Sequence, residues 1–208
     1  MYLPKHFQVD DPKVLAQLIK HHPLATLIGN LDGNLEINHL PLMMSEDGRS
    51  LFGHIAKTNP LVKVAEQENH SVTAVFHGPH AYITPAWYPT KQETGKVVPT
   101  WNYAVVHVQG NLSLIKDANW IRQHVSQMTD THEPTYQSHW KLDDAPEEYV
   151  QMMLRAIIGI EINVNSSVGK FKLSQNRTPA EYTGVVSELQ KASAKNLQAM
   201  YELMQKPE

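Results

Sequence analysis

Three stretches of this chain combine residue types that could do chemistry at close spacing. In Gly53-His-Ile-Ala-Lys-Thr-Asn-Pro60, a lysine and a threonine precede Asn59-Pro60, a helix cap followed by a proline at a first helical position. A cation and a hydroxyl beside the positive end of a helix suit a phosphate, so Lys57 and Thr58 are candidate phosphate ligands, with His54 beside them. The same residues would also serve a capped helix start flanked by solvated side chains. In Val98-Pro-Thr-Trp-Asn-Tyr103, Trp101 offers an aromatic face for a flat ring and Asn102 an amide that donates or accepts. Trp87, Tyr88 and Tyr103 are further walls for such a ring, or else core residues of a β-rich body. In Lys170-Phe-Lys-Leu-Ser-Gln-Asn-Arg177, Lys172, Gln175 and Arg177 supply two cations and an amide. Arg177 could grip a phosphate with two parallel hydrogen bonds, or the run could be a basic turn into the next helix.

Other chemistries find less footing. Twelve histidines are present, and His77 and His80 flank Gly-Pro, yet no His-Glu-x-x-His helix occurs and no metal site is expected. His39, His77 and His80 are kept as candidates for ligand contacts or proton transfer near neutral pH. There is no Gly-x-Ser-x-Gly elbow, no Walker loop and no Gly-x-Gly-x-x-Gly fingerprint, so an enzyme here would rely on a cofactor.

These candidates need elements to position them. Asp11 caps a helix with Pro12 at its first position and Val14, Leu15, Leu18 and Ile19 on one face. Strands are expected over Leu24–Gly29 and through Ile37 and Leu40, joined by a turn at Leu31-Asp-Gly-Asn34, and again over Leu51–Ile55 after a turn at Ser45–Gly48. A short helix runs from Asn59-Pro60 to Asn69. Two β-branched runs, Ser71–Phe76 and Val97-Val98 continuing from Trp101 to Ile115, flank a loop of Pro, Trp, Tyr and His, with Gly110 as a bulge or turn. Asp117 opens a helix through Trp120, Ile121, Val125 and Met128, and a helical pattern resumes at Ala145 with Tyr149, Met152 and Met153. Strands follow over Ala156–Ile162 and, separately, Gly169–Leu173. Two amphipathic tail helices close the chain, the first with Thr178 and Glu181 at capping-box spacing.

The 208 residues carry 41% apolar content, enough for one sizeable core, and no cysteine, so disulfides and thiol catalysis are excluded. Eighteen Lys and Arg against 21 Asp and Glu give a net charge of −3, which lacks the broad positive field of a nucleic-acid binder. Direct DNA binding would fall to the tail helices with Lys191, Lys195 and Lys206. The opening residues lack a basic start and an apolar run, and no stretch reaches membrane-spanning length, so a soluble cytoplasmic protein with no membrane partner is expected.

GPHAYITPAWYP with GKVVPTWNY resembles the signature of the PaiB-like proteins, known as FMN-binding negative transcriptional regulators, and MYLPKHF, INHLPL, GHIAKTNP, LRAIIGIEI and KFKLSQNR extend the likeness from Met1 to Val186. The resemblance implies a mainly β fold (α+β): an antiparallel split β-barrel of the FMN-binding type with peripheral and C-terminal helices. The barrel spans residues 1–177 and a helical tail, residues 178–208, packs on the barrel or a partner. It also implies FMN as cofactor, held loosely or not retained, a homodimer with flavin at the subunit interface, and negative regulation of sporulation and protease programmes. Resemblance and local chemistry agree on Lys57 and Thr58, with His54, and the full set of candidate FMN contacts is His39, His54, Lys57, Thr58, Trp101, Asn102, Lys172, Gln175 and Arg177. A flavin-dependent oxidoreductase acting on a small molecule is the alternative.

Overall fold

The computed structural model describes residues 1–205; Lys206, one of the tail lysines named above, lies outside them. A short β1 (Gln8–Val9) precedes α1 (Pro12–His21), where the Asp11 carboxylate accepts from the Lys13 N–H at 2.8 Å and Leu15, Leu18 and Ile19 are buried. β2 (Leu24–Leu31) and β3 (Asn34–Pro41) form the expected hairpin. Its turn places Asp32 and Gly33 at φ of 53° and 87°, the left-handed conformation that Asp-Gly supplies cheaply. β4 (Met43–Met44) and β5 (Ser50–Ala56) pair across the next turn. α2 (Leu61–Glu66) starts where the Asn59 side chain accepts from the Leu61 N–H, and it stops short of the expected Asn69.

β6 (Ser71–Ile83) is much longer than the expected Ser71–Phe76, so His77 and His80 are strand residues and the aromatic loop begins only at Thr84. Its buried positions switch from even to odd between Gly78 and Ala81, and this step turns His80 and Tyr82 to the other face. The loop folds a 3-10 turn at Pro85–Trp87 and the single-turn α3 (Thr90–Glu93); Val97-Val98 is not strand. β7 (Thr100–Ile115) runs straight through Gly110, which corrects the expected bulge. A Cβ there would meet the Asn163 carbonyl oxygen at 2.3 Å, so glycine serves a close backbone approach. α4 (Ala118–His132) is capped by Asp117, which accepts from the Trp120 N–H at 2.6 Å. In α5 (Glu147–Arg155) the expected apolar stripe faces out: Tyr149, Met152 and Met153 are exposed and Val150 is the buried residue. β8 (Ile157–Lys172) is one sixteen-residue strand rather than two. α6 (Pro179–Lys191) carries the capping box of Thr178 and Glu181, and α7 (Lys195–Gln205) follows.

The eight strands form one antiparallel sheet with the open order β3-β2-β6-β7-β8-β5-β4, β1 pairing with β8, and helices around it. By contacts the chain divides into two compact units. One holds Met1–His21, His77–His107 and the described part of Val168–Glu208. In it, Tyr88 from the loop joins Ala81 and Ile83 of β6 and Val185, Leu189, Met200 and Met204 of the tail helices in a single buried cluster. The other holds His22–Phe76 and Val108–Ser167. There Leu51 and Ile55 of β5 lie in register with Ile162 and Ile158 of β8, all four buried.

Candidate functional site

Within the tail-containing unit, the end of β8 and the start of β7 bring cations together. Lys170 alternates with Lys172 across Phe171, and Arg177 follows the turn at Ser174, whose φ is 65°. The Lys170 ammonium donates to the Tyr2 carbonyl at 3.0 Å and sits 5.4 and 5.5 Å from the rings of Tyr2 and Tyr103. Lys172 donates to the Thr100 hydroxyl, and Arg177 lies 4.8 Å over the ring of Tyr88. Burial, aided by the charges of Lys170 and Arg177, lowers the pKa of Lys172, while Tyr103 works in the opposite direction. Among the described residues none of the three cations makes an ion pair. Mutual repulsion is the price the fold carries here, and an anion would relieve it.

The outward face of the same strands is aromatic. Trp101 is 52% exposed, with His80 at 5.7 Å and Tyr82 at 6.0 Å between ring centroids. An exposed indole backed by two rings is a stacking surface for a flat ligand. Its neighbour Asn102 departs from expectation. The amide is fully buried, donating to Ser174 Oγ at 2.9 Å while its oxygen accepts from that hydroxyl at 3.2 Å. It ties β7 to the Ser174 turn. Gln175 is likewise spent on the turn, accepting from the Leu173 N–H and donating to the Phe171 carbonyl, both at 2.6 Å. Trp87 and Tyr88, considered as ring walls, pack into the core of this unit, Tyr88 being 1% exposed.

In the other unit, Lys57 and Thr58 occupy the turn between β5 and α2 and both are exposed. The Lys57 N–H donates to the Ala156 carbonyl at 3.0 Å, which anchors the turn and leaves the ammonium to solvent. Asn59 donates to Asn38 on β3 at 2.7 Å, and the nearby His39 pairs with Thr26 Oγ1 at 3.1 Å. His54 points from β5 under α4. Its ring meets His124 edge-on at 5.5 Å, and His124 in turn lies flat on Trp120 at 4.9 Å and 9°. His54 Nδ1 and His124 Nε2 are buried without hydrogen-bond partners. Burial holds both imidazoles neutral, pushing His124 down to about 4, with His54 adding to that shift. Trp120 and His124 stand four apart on one helix, the sequence signal that marks His124 as its neighbour.

The open antiparallel sheet is a split-barrel arrangement, and solved structures share the fold. The flavocytochrome Anf3 of Azotobacter vinelandii superposes with a TM-score of 0.57 at 12% identity, covering 79% of this chain and 69% of that one. The FAD and heme binding protein of Mycobacterium smegmatis gives 0.58 at 15% identity, covering 80% and 73%. Residues 1–166 match the family described as "Putative FMN-binding domain", and the chain belongs to that family, whose cofactor is FMN. The protease synthase and sporulation protein PAI 2 of Bacillus subtilis is 30% identical over 207 residues, covering 99% of this chain and 97% of the relative.

Proposed function

We propose that this protein is an FMN-binding negative transcriptional regulator of the PaiB type, working in the cytoplasm as a homodimer. Likeness to PAI 2 along nearly the whole chain supports the regulatory role. Within the chain, the observation that carries flavin binding is the group of Lys170, Lys172 and Arg177, none of which makes an ion pair among the described residues, with the Glu181 carboxylate in electrostatic reach of Arg177 alone. The proposed contacts are considered unit by unit: Lys172 and Arg177 as cations and Trp101 as a stacking face in the tail-containing unit, and, in the other, Lys57 and Thr58 as phosphate ligands with His39 and His54 as polar contacts. Bound FMN supplies hydride or electron transfer, and these side chains bind, orient and screen.

The regulatory reading does not draw on a DNA-reading helix. The tail helices bury Val185, Leu189, Met200 and Met204 in their own unit, and nothing at Lys191 distinguishes it from a surface residue paired with Glu188 at 2.7 Å. Repression would then follow from flavin state and assembly. A small-molecule oxidoreductase is the second reading, favoured by the accessible Trp101 face.

The absorption spectrum of freshly purified protein tests the first step. Flavin bands released as FMN are expected, and Lys57→Ala is expected to weaken FMN binding by about 1–3 kcal/mol, the range of a lost charge-assisted hydrogen bond. An unchanged dissociation constant would remove Lys57 from the site. Bleaching by NADH or NADPH with turnover on an acceptor favours the oxidoreductase; salt-sensitive promoter binding at physiological ionic strength favours the regulator.

A further inference from the structure

A cavity of about 210 Å³ opens between α4 and the β4–β5 turn, within the unit that holds Lys57. Its walls are Met43, Met44, Phe52 and Trp120, and its mouth is set by Ser45, Glu46, Gln123 and Gln127. The rings of Phe52 and Trp120 stand 5.8 Å apart, and His124 stacks flat on Trp120 at 4.9 Å. Three features say what such a space takes. Two thioethers and two aromatic rings favour a flat apolar body, and the thioethers adapt to its outline. An apolar protein cavity of about 150 Å³ is known to hold a benzene ring, so this one accommodates one ring or a fused pair. His124 also lines the cavity, is 4% exposed and stays neutral, and its Nε2 is buried without a hydrogen-bond partner. A buried imidazole without a partner is costly, and a ligand carrying one hydroxyl or N–H can satisfy it. The carboxylate of Glu46 at the mouth disfavours anions.

We propose that the cavity lined by Met43, Met44, Phe52, Trp120 and His124 binds a small uncharged planar aromatic molecule bearing a hydroxyl or N–H, of the phenol or indole kind. This is a second site, built from residues other than the flavin contacts proposed above, with His124 meeting the ring of one of them, His54. It would let an aromatic metabolite bias a flavin-binding regulator from outside the flavin site.

The test uses full-length protein with its FMN and three probes: phenol, indole and toluene. Saturable one-to-one binding of phenol and indole is expected by calorimetry, with chemical-shift changes confined to the Met43 and Met44 methyls and the Trp120 indole N–H. His124→Phe keeps the stacked ring and removes both nitrogens. It is expected to weaken phenol about tenfold and leave toluene within about twofold, as loss of one buried hydrogen bond would. Met44→Trp fills the space and is expected to abolish all three. The proposal is overturned by no saturable binding of phenol or indole up to their solubility, by shifts at other methionines instead, or by a Met44→Trp protein that binds as before. The methyl shifts of the wild-type protein decide the matter even if a variant does not fold.

Discussion

The most informative residue is one the sequence did not announce. His124 sits on α4 between Trp120 and His54, and burial, not an acidic neighbour, sets its charge state. In the unfolded chain its imidazole titrates near the ordinary 6.5; in the folded protein it stays neutral down to about 4. Between those values the unfolded state binds more protons, so stability falls as pH is lowered from 6.5 toward 4. The His124 shift corresponds to about 3 kcal/mol at the acid end, and His54 is displaced in the same direction. Urea midpoints at pH 7 and pH 4.5 are expected to differ by more in the wild type than in His124→Phe, where one of the two depressed imidazoles is gone. Equal pH dependence in both proteins would mean that carboxylates, not this histidine, govern the acid limb. Asn102 teaches the converse lesson. Its place between two aromatic residues reads as a ligand contact, yet full burial and two hydrogen bonds to Ser174 make it a brace.

At the level of elements, α6 seats its middle on the loop that was read as a ligand wall. A Cβ on Gly184 would stand 2.4 Å from the Trp87 carbonyl oxygen, a backbone atom with no freedom to yield. Gly184→Ala is therefore expected to destabilise the protein by about 1–3 kcal/mol, despite the better helix propensity of alanine, because the helix must lift from Trp87 and Pro89. Ser187→Ala on the same helix is the control and is expected to change the urea midpoint little; equal effects would show that the contact at Gly184 carries no weight. Local signals were legible wherever a residue acts on its own backbone: Asp11, Asp117 and the Thr178–Glu181 box start their helices as read, and Asp32-Gly33 turns the first hairpin. They failed where distant packing decides. β6 extends to Ile83 because Ala81 and Ile83 pack on α6 and α7, about a hundred residues on, and β8 continues through polar Asn163–Ser167 past Gly110 of β7. The helical pattern of Tyr149, Met152 and Met153 gives α5 an apolar stripe, and in the structure these side chains face out. Helical spacing fixes which residues share a face and not which face turns inward.

Considered as a whole molecule, the chain exposes large apolar side chains in both of its units. In the unit holding the first hairpin, Leu24, Leu35 and Ile37 are 63%, 66% and 54% exposed on neighbouring strands, and β3 ends the sheet order. In the tail-containing unit Val98, Trp101 and Tyr82 are 65%, 52% and 48% exposed. An edge strand carrying uncovered β-branched and leucine side chains invites association, and a closed two-fold dimer is the commonest way to satisfy it without growing a fibre. Sedimentation velocity at micromolar concentration is expected to give a single species near twice the 23.6 kDa chain mass. Ile37→Lys, which places a charge on that edge at a solvent-facing position, is expected to shift the species toward monomer while changing the unfolding free energy of the subunit by no more than about 0.5 kcal/mol, as a surface substitution does. A wild-type monomer at that concentration would remove the dimer and with it any flavin contact supplied by a second copy. A variant that stays dimeric would move the interface away from β3 toward the face that carries Trp101.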